Sequence, residues 1–376
     1  MTTARETILQ FGTGRFLRAF ADSFVSQANQ EGQDIGSIVI VQSTGDDTAK
    51  LINTQRGQYH VIVRGLENNQ VVDRVETVNS VSRALSTSSQ WDDIFDLIRS
   101  PDLQFILSNT TEAGYKLDAE DSCMSHPPKS FPGKLLLLLK ERFEVDLPGL
   151  TIIPCELIEG NAGLLRSELL QMCDSWGLES DLKQWIGKEC VWLNTLVDRI
   201  VTGPPKDHPL LAKDALAIVA EPFAFWALEE NPKAASFIHH PAITRTPDVK
   251  PYFLRKVRIL NAAHTALLIK AKKRGFVIVR DAVNDPELGA WLEKLLFEEI
   301  VPTLKDRVDQ GELFARQTLE RFRNPFLEHK FADIALHHES KMKIRLLPTR
   351  DEFQAQFGKA PPLLTEVIAE GQADWK

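Results

Sequence analysis

The chain has 376 residues, 43% of them hydrophobic and 26% charged, with a formal net charge of −8. That length exceeds one ordinary hydrophobic core, so a soluble globular protein of two domains is expected. The acidic balance argues against a nucleic-acid partner, which would need a basic footprint, and no stretch approaches the roughly 18 consecutive apolar residues of a membrane span. Met1-Thr2-Thr3-Ala4-Arg5 leads into a strand-like run without the apolar core of a signal peptide, and Cys123, Cys155, Cys173 and Cys190 form no CxxC pair. A cytoplasmic protein with reduced thiols is the expectation.

In chain order, the first predicted strand is Thr7-Ile8-Leu9-Gln10-Phe11. It runs into Gly12-Thr13-Gly14, then a helical stretch from Phe16 to Ala28, then a second strand, Ser37 to Val41. Strand, glycine turn, helix, strand is the opening of a βαβ unit with a parallel sheet. Further strands are predicted at Tyr59 to Val63, Val71 to Val78, Leu103 to Leu107 and Leu150 to Ile153, with covering helices at Trp91 to Arg99 and Lys134 to Phe143. Beyond Pro251 the pattern changes to long helices over 252–274, 286–305 and 309–323. The fold class expected is α/β: a Rossmann-like doubly wound dinucleotide-binding domain over 1–203, then a mainly helical substrate domain over 204–376.

Gly12-Thr13-Gly14-Arg15-Phe16-Leu17 is an incomplete dinucleotide fingerprint. Its first two glycines allow a tight turn and close approach of backbone to a pyrophosphate, but Leu17 holds the third glycine position. The acidic residue that would grip a ribose at the end of the second strand is also missing. Gln42 stands there, with Asp46 and Asp47 slightly later, which leaves NAD or NADP open. Ser108-Asn109-Thr110-Thr111-Glu112-Ala113-Gly114 follows a strand end and is placed either to touch a cofactor or to serve as an ordinary polar turn. Asn194 to Arg199 is a polar cluster among apolar residues, readable as a structural ion pair and a backbone-satisfied amide. The histidines make no HExxH spacing, and no GxSxG occurs, so neither a metal nor a serine nucleophile is expected.

Lys256, Asn261 and His264 fall on one predicted helix. At about 100° per residue, Asn261 lies roughly 140° and His264 roughly 80° around from Lys256, so one side can carry all three. A buried lysine can exchange a proton near neutral pH, while an amide and an imidazole hold oxygens. A solvated polar face is the plain alternative.

Taken together, these segments resemble the mannitol dehydrogenase family of long-chain polyol and hexuronate oxidoreductases. The likeness runs through Gln10 to Phe20, Ser108 to Gly114, Ser130 to Leu135, Pro154-Cys155-Glu156-Leu157-Ile158, Thr195 to Gly203, Ala220 to Phe223, Lys256 to Leu267 and Arg321 to Phe326. The Ser108 loop and Pro-Cys-Glu-Leu-Ile point to its tagaturonate branch. The resemblance implies an NAD-linked enzyme, NADP not excluded, acting on a small keto-sugar acid. Lys256 would be the general acid/base, with Asn261, His264 and Asn194 on the substrate and Arg321 and Arg199 as substrate cations. Gly12, Thr13, Gly14, Arg15, Phe16, Gln42, Thr110, Thr111 and Glu112 would hold the cofactor, and Arg323 would form a surface or interdomain ion pair. Three departures stand out: Phe253 where relatives often carry glutamate, Ala262 where glycine is common, and an end at Lys376 that is early for the family. A fructuronate or ketose branch, or a nucleotide-binding regulator without turnover, are the alternatives, and oligomeric state is open.

Overall fold

The computed structural model describes residues 5–110, 112–204, 208–234 and 236–374, with the side chains of Glu112, Ala113 and Asp374 outside that description. The strands are β1 (Glu6–Phe11), β2 (Ser37–Gln42), β3 (Tyr59–Glu67), β4 (Gln70–Val78), β5 (Val81–Ser86), β6 (Phe105–Ser108) and β7 (Thr151–Pro154). They continue with β8 (Val191–Trp192), β9 (Thr195–Asp198), β10 (Val201–Thr202), β11 (Ile218–Ala220), β12 (Phe225–Glu229) and β13 (Ile243–Thr246). Among the described residues, six strands form one sheet in the order β5-β2-β1-β6-β7-β8. Every pairing in it is parallel. This is the doubly wound order, with its reversal between β1 and β6.

The central strands are buried on both faces, as their unbroken apolar sequences require: Ile8 and Leu9 on β1, Ile38 to Val41 on β2, and Ile106 and Leu107 on β6. On one face Leu9, Val39 and Ile106 pack with the helices Trp91–Ile98 and Phe131–Glu144, through Ile94, Leu97, Leu135 and Leu138. Ser130 caps the second of these helices, its hydroxyl accepting from the Gly133 amide at 3.1 Å.

Three local expectations are corrected. The helix foreseen from Phe16 to Ala28 is two pieces, Arg15–Arg18 and Ala21–Gln30. Phe20 leaves helical geometry (φ −133°, ψ −92°) and packs on Phe16, Phe24 and Trp226 with ring centroids 4.7–5.2 Å apart. The third strand of the sheet is β5, which Ser80, Ser82 and Arg83 disguise in the sequence. β3 and β4 belong instead to a separate sheet of order β10-β11-β3-β4. A further sheet, β13-β12-β9, follows.

The chain divides into two compact units. The first holds residues 1–62, 75–220 and 224–249; the second holds 63–74, 221–223 and 250–376. The division foreseen at 203/204 therefore differs: β11 pairs with β10, and β12 with β9, which ties most of 204–249 to the first unit. Helices make up most of the second unit, around a core that includes Ile259, Ala263, Leu267, Leu292, Leu296, Phe314, Phe322 and Leu364. No helix among the described residues is long and apolar enough to cross a membrane.

Candidate active site

The carboxyl ends of the parallel strands carry most of the segments picked out in the first half of the sequence. Gly12 closes β1 with φ +126°, a conformation that L side chains rarely adopt, and a Cβ there would stand 3.0 Å from the Asn109 carbonyl oxygen at the end of β6. Its amide donates to Val41 O at 3.1 Å. Gly14 caps the short helix and has no atom within 4 Å of where a Cβ would lie. Leu17, at the third glycine position, is buried and its Cδ1 is 3.6 Å from the same Gly12 position, so the motif is closed by packing. Thr13 O accepts from Arg18 Nε at 3.0 Å, while Arg15 is exposed and lies against Gly203. Phe16 is half-buried on Phe20. A bare glycine turn at the switch point between β1 and β6 fits a dinucleotide pyrophosphate.

Gln42 ends β2 with its amide at work in the loop that follows: Nε2 donates to Thr44 O and Oε1 accepts from Ala49 N, both at 2.8 Å. A ribose would find its second N–H and the remaining lone pair of Oε1. Thr110 is held by Glu156, which accepts from Thr110 N at 2.8 Å, Thr110 Oγ1 at 3.0 Å, Ser108 Oγ at 3.0 Å and Tyr115 Oη at 3.2 Å. This buried carboxylate ties Ser108, Thr110 and Tyr115 together, a role the sequence reading missed. Its only signal there was its place just past β7, opposite the loop that follows β6. Thr111 lies outside the described residues, as does the side chain of Glu112.

Asn194 follows β8. Its Oδ1 accepts from the amides of Ala162 and Gly163 at 3.0 and 3.1 Å, and Nδ2 donates to Glu229 Oε2 at 2.7 Å. The carboxamide thus caps the helix Asn161–Ser175, and a single N–H remains for any substrate. Arg199 is buried within the first unit, with NH1 donating to Ala19 O at 2.7 Å.

In the second unit, Lys256–Asn261 is a π-helix between the α-helices Lys250–Arg255 and Ala262–Lys273. Its hydrogen bonds run i→i+5, so the fifth residue after Lys256, which is Asn261, comes back to the lysine's own side. This corrects the α-helical placement that set the two about 140° apart. Lys256 is half-buried at the start of the segment. Asn261 and His264 are 8% and 6% exposed, and Asn261 Nδ2 and His264 Nε2 are buried with no hydrogen-bond partner among the described residues. His264 stacks on Phe322 (4.1 Å) and meets His329 edge-on (4.8 Å). Burial, then His329, Arg345, Arg321 and Lys341, hold its pKa well below the usual imidazole range, so the ring is neutral.

Arg321 is not available in the way foreseen. Its Nε and NH2 grip Glu221 at 2.7–3.1 Å, both side chains are nearly fully buried, and its guanidinium lies 4.1 Å over the Phe223 ring. A carboxylate of the protein already fills the fork that a substrate carboxylate would need. Arg323 pairs with Glu293 at 2.9 Å at the surface. No group of three or more His, Cys, Asp or Glu side chains among the described residues forms a metal-ligand set.

Residues 6–239 match the mannitol dehydrogenase Rossmann domain and residues 248–373 the mannitol dehydrogenase C-terminal domain. Altronate oxidoreductase of Bacillus subtilis is 39% identical over 96% of this chain and 77% of its own length. That of an Enterobacter species is 38% identical over 97% and 78%. Two solved structures share the fold at 22% identity: mannitol 2-dehydrogenase of Pseudomonas fluorescens in ternary complex with NAD and D-mannitol, and a D-sorbitol dehydrogenase. The first has a TM-score of 0.82 over 98% of this chain and 79% of its own, the second 0.86 over 99% and 80%. With a doubly wound sheet, a bare glycine turn, and family matches across both units, the chain belongs to the mannitol dehydrogenase family of oxidoreductases.

Proposed function

We propose that the protein is a nicotinamide-dependent secondary-alcohol dehydrogenase that reduces a keto-hexuronate, D-tagaturonate to D-altronate, with Lys256 as general acid. The observation that carries this is the pair of buried, unpartnered groups: Asn261 Nδ2, at the end of the π-helix that begins with Lys256, and neutral His264 Nε2, in the α-helix that follows. Two polar atoms left without partners in a core are costly, about 1–3 kcal/mol each, and a bound sugar oxygen would relieve that cost. Altronate oxidoreductases at 36–39% identity support the substrate class.

A bound nicotinamide supplies the hydride. As the ketone oxygen gains charge, Asn261 Nδ2 donates to it and Lys256 delivers the proton that completes the alcohol. His264, kept neutral, holds a neighbouring hydroxyl and fixes the carbon chain. Gly12 and Gly14 admit the pyrophosphate. Asp46 and Asp47, just beyond Gln42, would repel a 2′-phosphate, so NAD is the preferred cofactor. In this mechanism the proton is handled by a side chain and not by a metal-bound water.

One observation favours a second reading. With Arg321 committed to Glu221, an uncharged ketose of the polyol branch would need no carboxylate receiver. The variant Lys256→Ala tests the mechanism under either reading. Turnover should fall by about 10²–10⁴-fold while NADH binding, followed by fluorescence, is kept. Near-wild-type turnover removes Lys256 from proton transfer.

A further inference from the structure

Resting on the keto-hexuronate reading, we propose that His329 binds the substrate hydroxyl one carbon beyond the one that His264 holds, and so selects D-tagaturonate over its C4 epimer D-fructuronate. His329 precedes Lys330, which bridges to Ile278. Its carbonyl accepts from the Val279 amide at 3.0 Å, and the Phe331 amide donates to Val277 O at 2.9 Å. With the main chain pinned there, the His329 ring meets the His264 ring edge-on, centroids 4.8 Å apart and planes at 76°. Phe322 stacks on His264 at 4.1 Å and steadies the ring that His329 touches.

His329 is half-buried, and its ring nitrogens make no hydrogen bond among the described residues. Burial lowers its pKa, with Asp333 opposing and Lys341 adding to the shift, so the imidazole is neutral. A neutral imidazole presents one N–H donor and one lone pair. Those two suit a hydroxyl, which both donates and accepts; a carboxylate, which only accepts, would use half of them. In the functional reading the ketone oxygen sits at Asn261 and the neighbouring hydroxyl at His264. His329 touches the His264 ring, so the oxygen within its reach is that of the next carbon, C4 when the ketone is C2. The two keto-hexuronates differ in configuration at that carbon alone. A hydroxyl turned to the other side leaves the imidazole unpaired, and a site built to bond a hydroxyl rejects an analogue without that bond more strongly than an apolar pocket could.

The test measures KM and kcat for both epimers in the unaltered protein, in His329→Phe, which keeps an aromatic ring on His264, and in His329→Gln, which returns a donor and an acceptor. In the phenylalanine variant kcat/KM for D-tagaturonate should fall roughly ten- to a hundredfold, the range for a buried hydroxyl left unpaired, with D-fructuronate little changed. The glutamine variant should recover part of the loss. Equal losses on both epimers would mean that His329 only braces His264, and would overturn the proposal, as would a wild type that does not tell the epimers apart.

A measurement on the unaltered protein covers variants that fail to fold. Saturating D-altronate, its binding established by product inhibition, should slow modification of His329 by diethyl pyrocarbonate, mapped by peptide mass spectrometry. Modification at an unchanged rate takes His329 off the substrate and overturns the proposal. If the unaltered protein reduces no D-tagaturonate with either dinucleotide, it is the functional reading that fails, and this proposal falls with it.

Discussion

Arg321 and Asn194 show how a residue's meaning depends on a partner far away in the chain. Both were legible in the sequence as polar groups worth naming, and neither partner was. Glu221 is 100 positions from Arg321, and Glu229 is 35 from Asn194. No periodicity or local motif encodes such pairings, because they form only when separate elements pack. The buried pair at Arg321 has a measurable consequence. Glu221→Gln leaves a cation in a nearly dry site and should cost about 3–5 kcal/mol in urea unfolding. If the variant is as stable as wild type and only substrate affinity changes, Arg321 is a ligand group after all. Glu156 is a second such centre, and Glu156→Gln should cost about 1–3 kcal/mol and loosen the Ser108 to Tyr115 loop. Unchanged stability there would show that the loop holds itself.

The strands at the centre of the sheet announce themselves by continuous apolar runs, and β1, β2, β6 and β7 all lie within a residue or two of where the sequence puts them. β5 hides because Ser82 and Arg83 interrupt its apolar pattern, although Ala84 and Leu85 are buried. The π-helix at Lys256–Asn261 is invisible for a different reason: an extra residue in a helical turn leaves the composition helical and changes only the register. That register decides which side chains share a face. Inserting one alanine after Val257 would place Asn261 six residues after Lys256, about 120° away around an α-helical turn. Turnover should drop on the order of a hundredfold, as for a misplaced reacting group, with helix content by circular dichroism retained. Full activity in that insertion variant would mean the π segment does not position the lysine.

At the scale of the whole molecule, composition and length are enough to foresee an acidic protein of two parts, and the order of strand and helix patterns adds a doubly wound first half and a helical second. Where one part ends was hidden, since β11 and β12 return to the first unit after a Pro-rich passage that looks like a linker. Global stability also carries the mark of one buried acid. Asp22 is fully buried against Tyr59, and burial raises its pKa from 3.8 to about 7. Its contribution is fully present below pH 3.8 and is lost as pH rises towards about 7, because the unfolded chain gives up the proton first. Asp22→Asn should therefore flatten the dependence of unfolding free energy on pH across that window, and an unaltered slope would place the titration elsewhere. Function is decided by turnover. NADH and NADPH consumption should be followed with D-tagaturonate, D-fructuronate, D-tagatose and D-fructose. The expected result is fastest oxidation of NADH with D-tagaturonate, slower use of NADPH, and weak activity on the neutral ketoses. Turnover of the ketoses alone, or of none of the four, would contradict a keto-hexuronate reductase.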